Sequence, residues 1–183
     1  KLSVNINKVA TIRNARGANN PNVLQVALDC ELFGAQGITV HPRPDERHIR
    51  YQDVRDIKPL IKTELNIEGN PIDKYIELVL ETKPTQVTLV PDADDQLTSN
   101  HGWDTKANKS FLCDVIGRFK EAGIRTSIFV DPDTEMVHHA KECSTDRIEL
   151  YTEPYASMYP KNREEAIAPF VDAAIAAREL RLG

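Results

Sequence analysis

The sequence predicts an α/β fold, a parallel sheet curled into a (β/α)8 or TIM barrel, with about six β/α units in this chain. Short β-branched segments alternate with longer stretches of helical period along the whole chain. The chain lacks a glycine-rich dinucleotide turn, which favours a closed barrel over an open nucleotide-binding sheet. Polar or ionisable residues follow the predicted strands directly, as they do where barrel loops build a site.

Six strands and three clear helices are predicted from these patterns. The strands are Leu2–Ile6, Gly37–Val40, Leu65–Ile67, Gln86–Val90, Thr126–Val130 and Arg147–Leu150. Apolar residues spaced i, i+3, i+4, i+7 predict one core-facing stripe per helix. The stripes are Ile72, Tyr75, Ile76, Val79 and Leu80; Leu112, Val115, Ile116 and Phe119; and Ile167, Phe170, Val171, Ala174 and Ile175. Pro169 is compatible with the third helix only near its first turn.

The length of the chain predicts one barrel domain, residues 1–183, that is incomplete at its C-terminus. A chain of 183 residues can bury one good core. A complete barrel needs eight units and about 250 residues. The last five residues have the pattern of a helix end followed by the joint before a seventh strand.

Composition restricts the partners and the compartment. With 28 acidic and 23 basic residues the formal charge is -5, which argues against nucleic acid or an anionic membrane as the main partner. No apolar run is long enough for a membrane span, and the N-terminus lacks a signal-peptide pattern, so a cytoplasmic protein is expected. Cys30, Cys113 and Cys143 are expected to be reduced packing residues rather than disulfides or metal ligands.

The segment GITVHPRPDERHIR, residues 37–50, has the composition of a site that binds anions and moves protons. His41 stands where a buried strand ends, and flanking prolines stiffen the loop that follows it. Arg43 and His48 suit phosphate, because a guanidinium offers forked donors that an imidazole can complement. The alternative is that these arginines are solvated surface charges paired with Asp45 and Glu46.

Other predicted strand ends carry further polar groups. They are Asn5, Asn7 and Lys8, with Arg16 further along, after the first strand; Glu68 after the third; Thr98 in the loop after the fourth; and Glu149 in the sixth. In a barrel these loops share one face, so the groups would converge on one mouth. His41 could accept a proton near neutral pH, and Glu68 could do so if its surroundings raise its pKa. His41 as a hydrogen-bonded structural residue, and Glu149 as a group that orients a neighbour, remain the alternatives.

The segments VNINKVATIRNARG, GITVHPRPDERHI, LNIEGN, TLVPD with QLTSNHGWDT, and IELYTEPYA resemble the pyridoxine 5'-phosphate synthase family in order and spacing. The resemblance implies a (β/α)8 barrel assembled as a homo-octamer. It implies condensation of 1-deoxy-D-xylulose 5-phosphate with 3-amino-2-oxopropyl phosphate to pyridoxine 5'-phosphate, inorganic phosphate and water. No metal or redox cofactor is implied.

The resemblance also implies roles for the strand-end residues. Asn5 and Arg16 would hold the amino-ketone phosphate, and Asn7 and Lys8 would contact the pentulose phosphate. The phosphate end of that second substrate would be bound by Arg43, His48 and Thr98. His41 and Glu68 would accept protons, and Glu149 would support developing charge. Many family members have Asp-His where this chain has Asn7-Lys8, and the family's seventh-strand Asn-Ala-Gly-His and eighth-strand Gly-His segments are not in this chain.

Two other functions remain open. One is a catalytically inactive barrel fragment that keeps phosphate binding or a dimer surface. The other is a different phosphosugar barrel enzyme, such as an isomerase or an aldolase. An aldolase is disfavoured because no lysine stands at the centre of a predicted strand.

Overall fold

A computed structural model describes residues 1–92 and 99–183 and contains one sheet of six parallel strands in the order β1-β2-β3-β4-β5-β6. The strands are β1 (Ser3–Asn5), β2 (Gly37–Val40), β3 (Glu64–Gly69), β4 (Gln86–Leu89), β5 (Arg125–Val130) and β6 (Arg147–Leu150). Each strand pairs in parallel with the next strand along the chain, as strands do in the curled wall of a barrel. The predicted fold class is confirmed, and all six predicted strands are present.

Helices connect the strands and cover the outside of the sheet. They are α1 (Asn7–Arg16), α2 (Val23–Leu32), α3 (Tyr51–Ile57), α4 (Asp73–Thr82), α5 (Lys109–Glu121), α6 (Thr134–Glu142), α7 (Glu153–Met158) and α8 (Arg163–Glu179). Asn22 is the N-cap of α2 and Asp133 is the N-cap of α6, since each side chain accepts two backbone N–H groups of the first turn. Gly17 ends α1 with a φ of 71°, a left-handed conformation that glycine adopts without strain.

The core lies between the sheet and the helices. Ile38, Leu65 and Leu89 from the strands are fully buried, together with Leu112 and Phe119 of α5. The predicted stripes of α4 and α5 therefore face the core. No helix bounds were predicted from the sequence at α1, α3 or α7.

The predicted stripe of α8 is wrong in its orientation. Ile167, Val171 and Ile175 are solvent-exposed, and the buried face carries small residues, Ala166, Ala173, Ala176 and Ala177. These alanines allow α8 to pack closely against α6 and α7. Pro169 lies inside α8, roughly two turns after it begins, rather than in the first turn.

The other face of the sheet is polar. The Ser3 and Thr39 hydroxyls lie 2.7 Å apart, the Asn66 side-chain amide lies 3.5 Å from Thr39 Oγ1, and Thr88 donates to Asn66 Oδ1 at 3.2 Å. Because side chains alternate along a strand, this row places Asn5 and Glu68 on the same face, nearer the carboxyl ends. The strands thus point ionisable groups towards one rim.

The sheet has β1 and β6 as its two edge strands. Gly183 donates its N–H to Asp146 O at 3.0 Å, and Ile148 N donates to Gly183 O at 3.1 Å, which is parallel pairing alongside β6. Cys30, Cys113 and Cys143 are free thiols, and Cys143 is buried. Among the described residues, no helix has both the length and the apolar character to cross a membrane.

Candidate active site

The carboxyl ends of β1, β2 and β3 bring four predicted residues together. Asn5 Oδ1 accepts the Asn7 N–H at 2.9 Å, and Asn7 Oδ1 accepts the His41 backbone N–H at 2.8 Å. The Asn5 amide lies 3.5 Å from Glu68 Oε2. Asn5 and Asn7 thus connect β1 to the strand ends that carry His41 and Glu68.

His41 is held in its neutral form. Only 7% of the residue is exposed, and its ring centroid lies 5.8 Å from that of His48. Burial lowers the pKa of His41 to about 3, and the electrostatic effects of the His48 imidazole and the Arg43 charge add to this shift. A neutral imidazole near pH 7 can accept a proton.

Glu68 is shifted in the opposite direction. Desolvation raises its pKa well above the usual carboxyl value, and the negative charges of Glu149 and Asp92 raise it further. Glu149 lies on the edge strand β6 with its side chain accessible to solvent. Partial desolvation raises the pKa of Glu149 too, and a hydrogen bond from Thr88 opposes this rise. The raised pKa values favour the protonated form of at least one of the two carboxyls.

Arg43 is buried rather than exposed to the mouth. Its guanidinium NH1 lies 2.6 Å from Asp92 Oδ2, and both side chains are 2% exposed. Arg43 is therefore not one of the solvated surface charges that the sequence left as an alternative. Arg47 does fit that alternative, because its Nε lies 2.5 Å from Asp45 Oδ2 at the surface.

Asp92 is the site residue that the sequence patterns did not indicate. It follows β4, and its Oδ2 accepts a hydrogen bond from Ser99 at 3.0 Å and lies 3.8 Å from His41 Nε2. Its position one residue after Pro91, at a predicted strand end, was the available indication. Asp92 was not predicted as a site residue because a site for phosphate dianions is expected to be lined by cationic groups, and Asp92 is acidic.

The loop of residues 43–50 is anchored to α1. Arg13 NH2 and the Asn14 side-chain amide both donate to His48 O, at 3.2 and 2.8 Å. His48 Nδ1 accepts the Ile49 N–H at 2.9 Å, so the proton of the neutral ring lies on Nε2. Burial and the Arg43 charge lower the pKa of His48. His48 can therefore donate from Nε2 to an anion.

Two predicted binding residues lie away from these contacts, and a third is not among the described residues. Lys8 and Arg16 are exposed on α1, Lys8 in its first turn and Arg16 in its last. The Lys8 charge reaches His48 and lowers its pKa slightly. The structure does not bring Arg16 into contact with the other described site residues. Thr98 lies outside the described residues.

Two further features of the site region concern what it could hold. Within residues 1–92 and 99–183, no cluster of three or more His, Cys, Asp or Glu side chains is arranged for a metal ion. A cavity of about 550 Å³ opens beside the strand ends, lined by Trp103, Asp131 and their neighbours. Among the described residues, none of the predicted site residues lines it, so the candidate site is placed at the strand ends and not in this cavity.

The fold defines a class of protein, an α/β protein on a TIM-barrel sheet whose strand ends gather ionisable side chains at one rim. A family model described as Pyridoxal phosphate biosynthesis protein PdxJ matches residues 2–183. The chain belongs to this family, and the resemblance stated from its sequence motifs is confirmed.

Curated relatives agree with the family assignment. A pyridoxine 5'-phosphate synthase of Phocaeicola vulgatus is 66% identical over 183 residues, which is 100% of this chain and 77% of the relative. Proteins with the same name from Bacteroides thetaiotaomicron and Parabacteroides distasonis are 66% and 68% identical, with 77% and 76% of their lengths matched.

Solved structures with little sequence similarity share the fold. A mandelate oxidase aligns with a TM-score of 0.61 at 10% identity, over 88% of this chain and 56% of that chain. A flavocytochrome b2 aligns with a TM-score of 0.59 at 14% identity, over 98% of this chain and 50% of that chain. These similarities support the barrel architecture alone.

Proposed function

We propose that the protein condenses 1-deoxy-D-xylulose 5-phosphate with 3-amino-2-oxopropyl phosphate to give pyridoxine 5'-phosphate, inorganic phosphate and water. The observation that carries the proposal is the convergence of His41 and Glu68, with oppositely shifted pKa values, in a chain that the PdxJ family matches over residues 2–183. The family's curated relatives carry the name of this activity. No metal or redox cofactor is assigned to the reaction.

The opposite pKa shifts of His41 and Glu68 suggest a different proton-transfer role for each residue. Neutral His41 accepts a proton from the substrates as a general base. Glu68, whose raised pKa favours the neutral acid, delivers its proton and then acts as the acceptor in a later step. Glu149 supports charge on the intermediate from the facing edge strand. Groups of opposite protonation suit a sequence of imine formation, phosphate loss and aromatisation, because each step moves a proton.

The basic side chains provide for two phosphate dianions. The His48 ring centroid lies 5.8 Å from that of His41, and the Lys8 charge reaches His48. Arg43 is paired with Asp92. As the family resemblance implies, Asn7 and Lys8 contact the pentulose phosphate, and Arg43, His48 and Thr98 bind the phosphate end of that substrate. Asn5 and Arg16 hold the amino-ketone phosphate. The arrival of phosphate raises the pKa of His41 from its value of about 3, because a nearby negative charge favours imidazolium.

An activity assay tests this function. The protein is mixed with 1-deoxy-D-xylulose 5-phosphate and 3-amino-2-oxopropyl phosphate, and the pyridine product is followed by its absorbance and fluorescence. We expect turnover by the wild type and a loss of at least about 10²-fold in kcat for His41→Ala. The matched control is His138→Ala, on the exposed side of α6, with unchanged turnover. Product formation that survives His41→Ala at the wild-type rate would remove His41 from the mechanism.

The same assay tests the second candidate, a phosphate-binding barrel without turnover. The observation in its favour is that Glu149 lies on an edge strand and is accessible to solvent, where water competes with the substrates. Binding of either phosphate, measured by calorimetry, without any pyridine product would favour this candidate over the synthase.

The assembly and compartment are part of the same proposal. The family resemblance implies a homo-octamer, and the sequence pattern predicts a cytoplasmic protein. Exposed apolar residues such as Leu32 and Phe33, which are 80% and 84% exposed, support an oligomer because such residues are commonly covered by a partner. Light scattering coupled to size exclusion measures the molar mass directly.

A further inference from the structure

We infer that Asp92 is a positioning residue that fixes the His41 imidazole with its proton on Nε2 and leaves Nδ1 as the base. This inference rests on the proposed function for its catalytic consequence. The contact itself can be tested without substrate.

The geometry at the end of β4 supports this role. Asp92 is 2% exposed, and its Oδ2 lies 2.6 Å from Arg43 NH1, 3.0 Å from Ser99 Oγ and 3.8 Å from His41 Nε2. Its backbone is fixed as well, because the Asn70 side-chain amide donates to Asp92 O at 2.8 Å. Hydrogen bonds from Arg43, Ser99 and Asn70 therefore fix the position of Asp92.

The second carboxylate oxygen gives an independent indication. Asp92 Oδ1 is buried and has no hydrogen-bond partner in the described part of the chain. A buried carboxylate oxygen without a donor is costly, so native sites rarely retain one without a use. His41 is an adjacent side chain whose ring can supply an N–H: its Nε2 lies 3.8 Å from the other oxygen, Oδ2, and a movement of about 1 Å brings it within hydrogen-bond reach of the Asp92 carboxylate.

The orientation of His41 determines which nitrogen reacts. A carboxylate can only accept, so Asp92 favours the tautomer that carries its proton on Nε2. When Nδ1 takes a proton from the substrate, the resulting imidazolium keeps the Nε2–H directed at Asp92, and the same proton later leaves from Nδ1. Arg43 already balances the charge of Asp92, so the contribution of Asp92 is to orient the ring rather than to raise its basicity.

Nitrogen NMR of the [15N]histidine-labelled wild-type protein tests the tautomer directly. Two-bond proton–nitrogen correlations distinguish the Nε2–H from the Nδ1–H form, and His41→Gln identifies the His41 signals by their loss. We expect the Nε2–H form for His41 at pH 7. An Nδ1–H form in the wild type would overturn the inference without any variant of Asp92.

Asp92→Asn tests the catalytic consequence, because an amide can donate to His41 Nε2 and so stabilise the wrong tautomer. We expect the NMR pattern of His41 to shift towards Nδ1–H and kcat to fall by at least about 10²-fold, in excess of any rise in KM. Asp92→Glu, which keeps a carboxylate, should restore part of kcat and the Nε2–H pattern. Asp114→Asn on the exposed face of α5 is the matched control and should change neither.

The outcomes separate three possibilities. A rise in KM with unchanged kcat in Asp92→Asn would show that Asp92 only holds Arg43, and this result would overturn the inference. An unchanged His41 tautomer in that variant would overturn it too. If the wild type makes no product, the proposed function fails, and the wild-type NMR result still decides whether Asp92 orients His41.

Discussion

His41 and Glu68 stand at the ends of neighbouring strands, and the same desolvation moves their pKa values in opposite directions. Burial disfavours the charged form of each group, which is the cation for histidine and the anion for glutamate. The site therefore favours the neutral imidazole of His41, which can accept a proton, and the neutral carboxylic acid of Glu68, which can donate one. Paired groups of this kind can exchange roles as protons move along a reaction sequence.

Replacing Glu68 with glutamine separates its catalytic from its structural effect. Because the folded pKa of Glu68 is raised, the unfolded chain loses this proton first as the pH rises through about 4.5, and folding stability falls from there upward. We expect Glu68→Gln to unfold at higher urea concentrations than the wild type at pH 8, and kcat to fall by at least about 10²-fold.

The stability of Glu68→Gln at low pH is the internal control. Below about pH 4 the Glu68 carboxyl is protonated in both the folded and the unfolded wild type. The variant and the wild type should then unfold at similar urea concentrations. A gain of the same size at pH 3.5 and pH 8 would show that packing, and not ionisation, causes the difference.

At the scale of elements, a buried ion pair joins α1 to α3. Both oxygens of Asp53 accept from Arg13, NH1 at 2.6 Å and NH2 at 2.8 Å, and Asp53 Oδ2 also accepts the Arg50 N–H at 2.8 Å. Since Arg13 also holds His48 O, this pair fixes the loop that carries the predicted phosphate ligands.

We expect Asp53→Ala to lower the free energy of unfolding by about 3 to 5 kcal/mol, because the Arg13 charge would remain buried without its partner. Urea denaturation measures this change. Glu81→Gln, which removes the exposed bidentate pair between Arg55 and Glu81, is the control and should have little effect. Equal losses in the two variants would contradict the structural role of the Arg13–Asp53 pair.

Glycine has two different roles in the connection from β4 to β5. A Cβ on Gly102 would overlap the backbone of Val130 and Asp131, whereas a Cβ on Gly117 in α5 would meet no atom within 4 Å. We expect Gly102→Ala to destabilise the protein, and Gly117→Ala to stabilise it by about 0.5 to 1 kcal/mol through helix propensity. Thermal unfolding of both variants measures the contrast, and a destabilising Gly117→Ala would contradict the open space around it.

The elements also show how far the sequence could predict this structure. The bounds of β2 and β6 were predicted, because β-branched runs bounded by turn residues leave few alternatives. The face of α8 was not, since Ile167 and Val171 are more apolar than Ala173, and only the tertiary packing decides that the small residues lie inside. Hydrophobicity alone does not encode the close approach of two helices.

The site was predictable to the extent that chemistry follows the strand ends. The prediction placed His41 and Glu68 together because parallel strands present their carboxyl ends on one rim. Asp92 was not identified, because its importance lies in its distances to Arg43 and His41, which are far away in sequence. Arg43 was assigned to phosphate on its charge, and the sequence could not show that an aspartate already shares that charge.

For the molecule as a whole, neutral buried His41 makes folding stability depend on pH. Its folded pKa of about 3 lies below the ordinary histidine value of about 6.5. Between those two values the unfolded chain binds a proton that the folded protein excludes. The free energy of unfolding therefore falls as the pH drops from about 6.5 towards 3, with a slope of up to about 1.4 kcal/mol per pH unit. His48, whose pKa is also lowered, adds to this fall.

Urea denaturation of the wild type and His41→Gln at half-unit steps from pH 4.5 to 7.5 measures this dependence. We expect His41→Gln to reduce the slope in that range, because glutamine is neutral in the folded and unfolded states alike. His138→Gln, on the exposed surface of α6, should leave the slope as in the wild type. If His41→Gln kept the full slope, the imidazole would be as easily protonated in the folded protein as in the unfolded chain. A neutral buried base at the barrel rim would then be excluded.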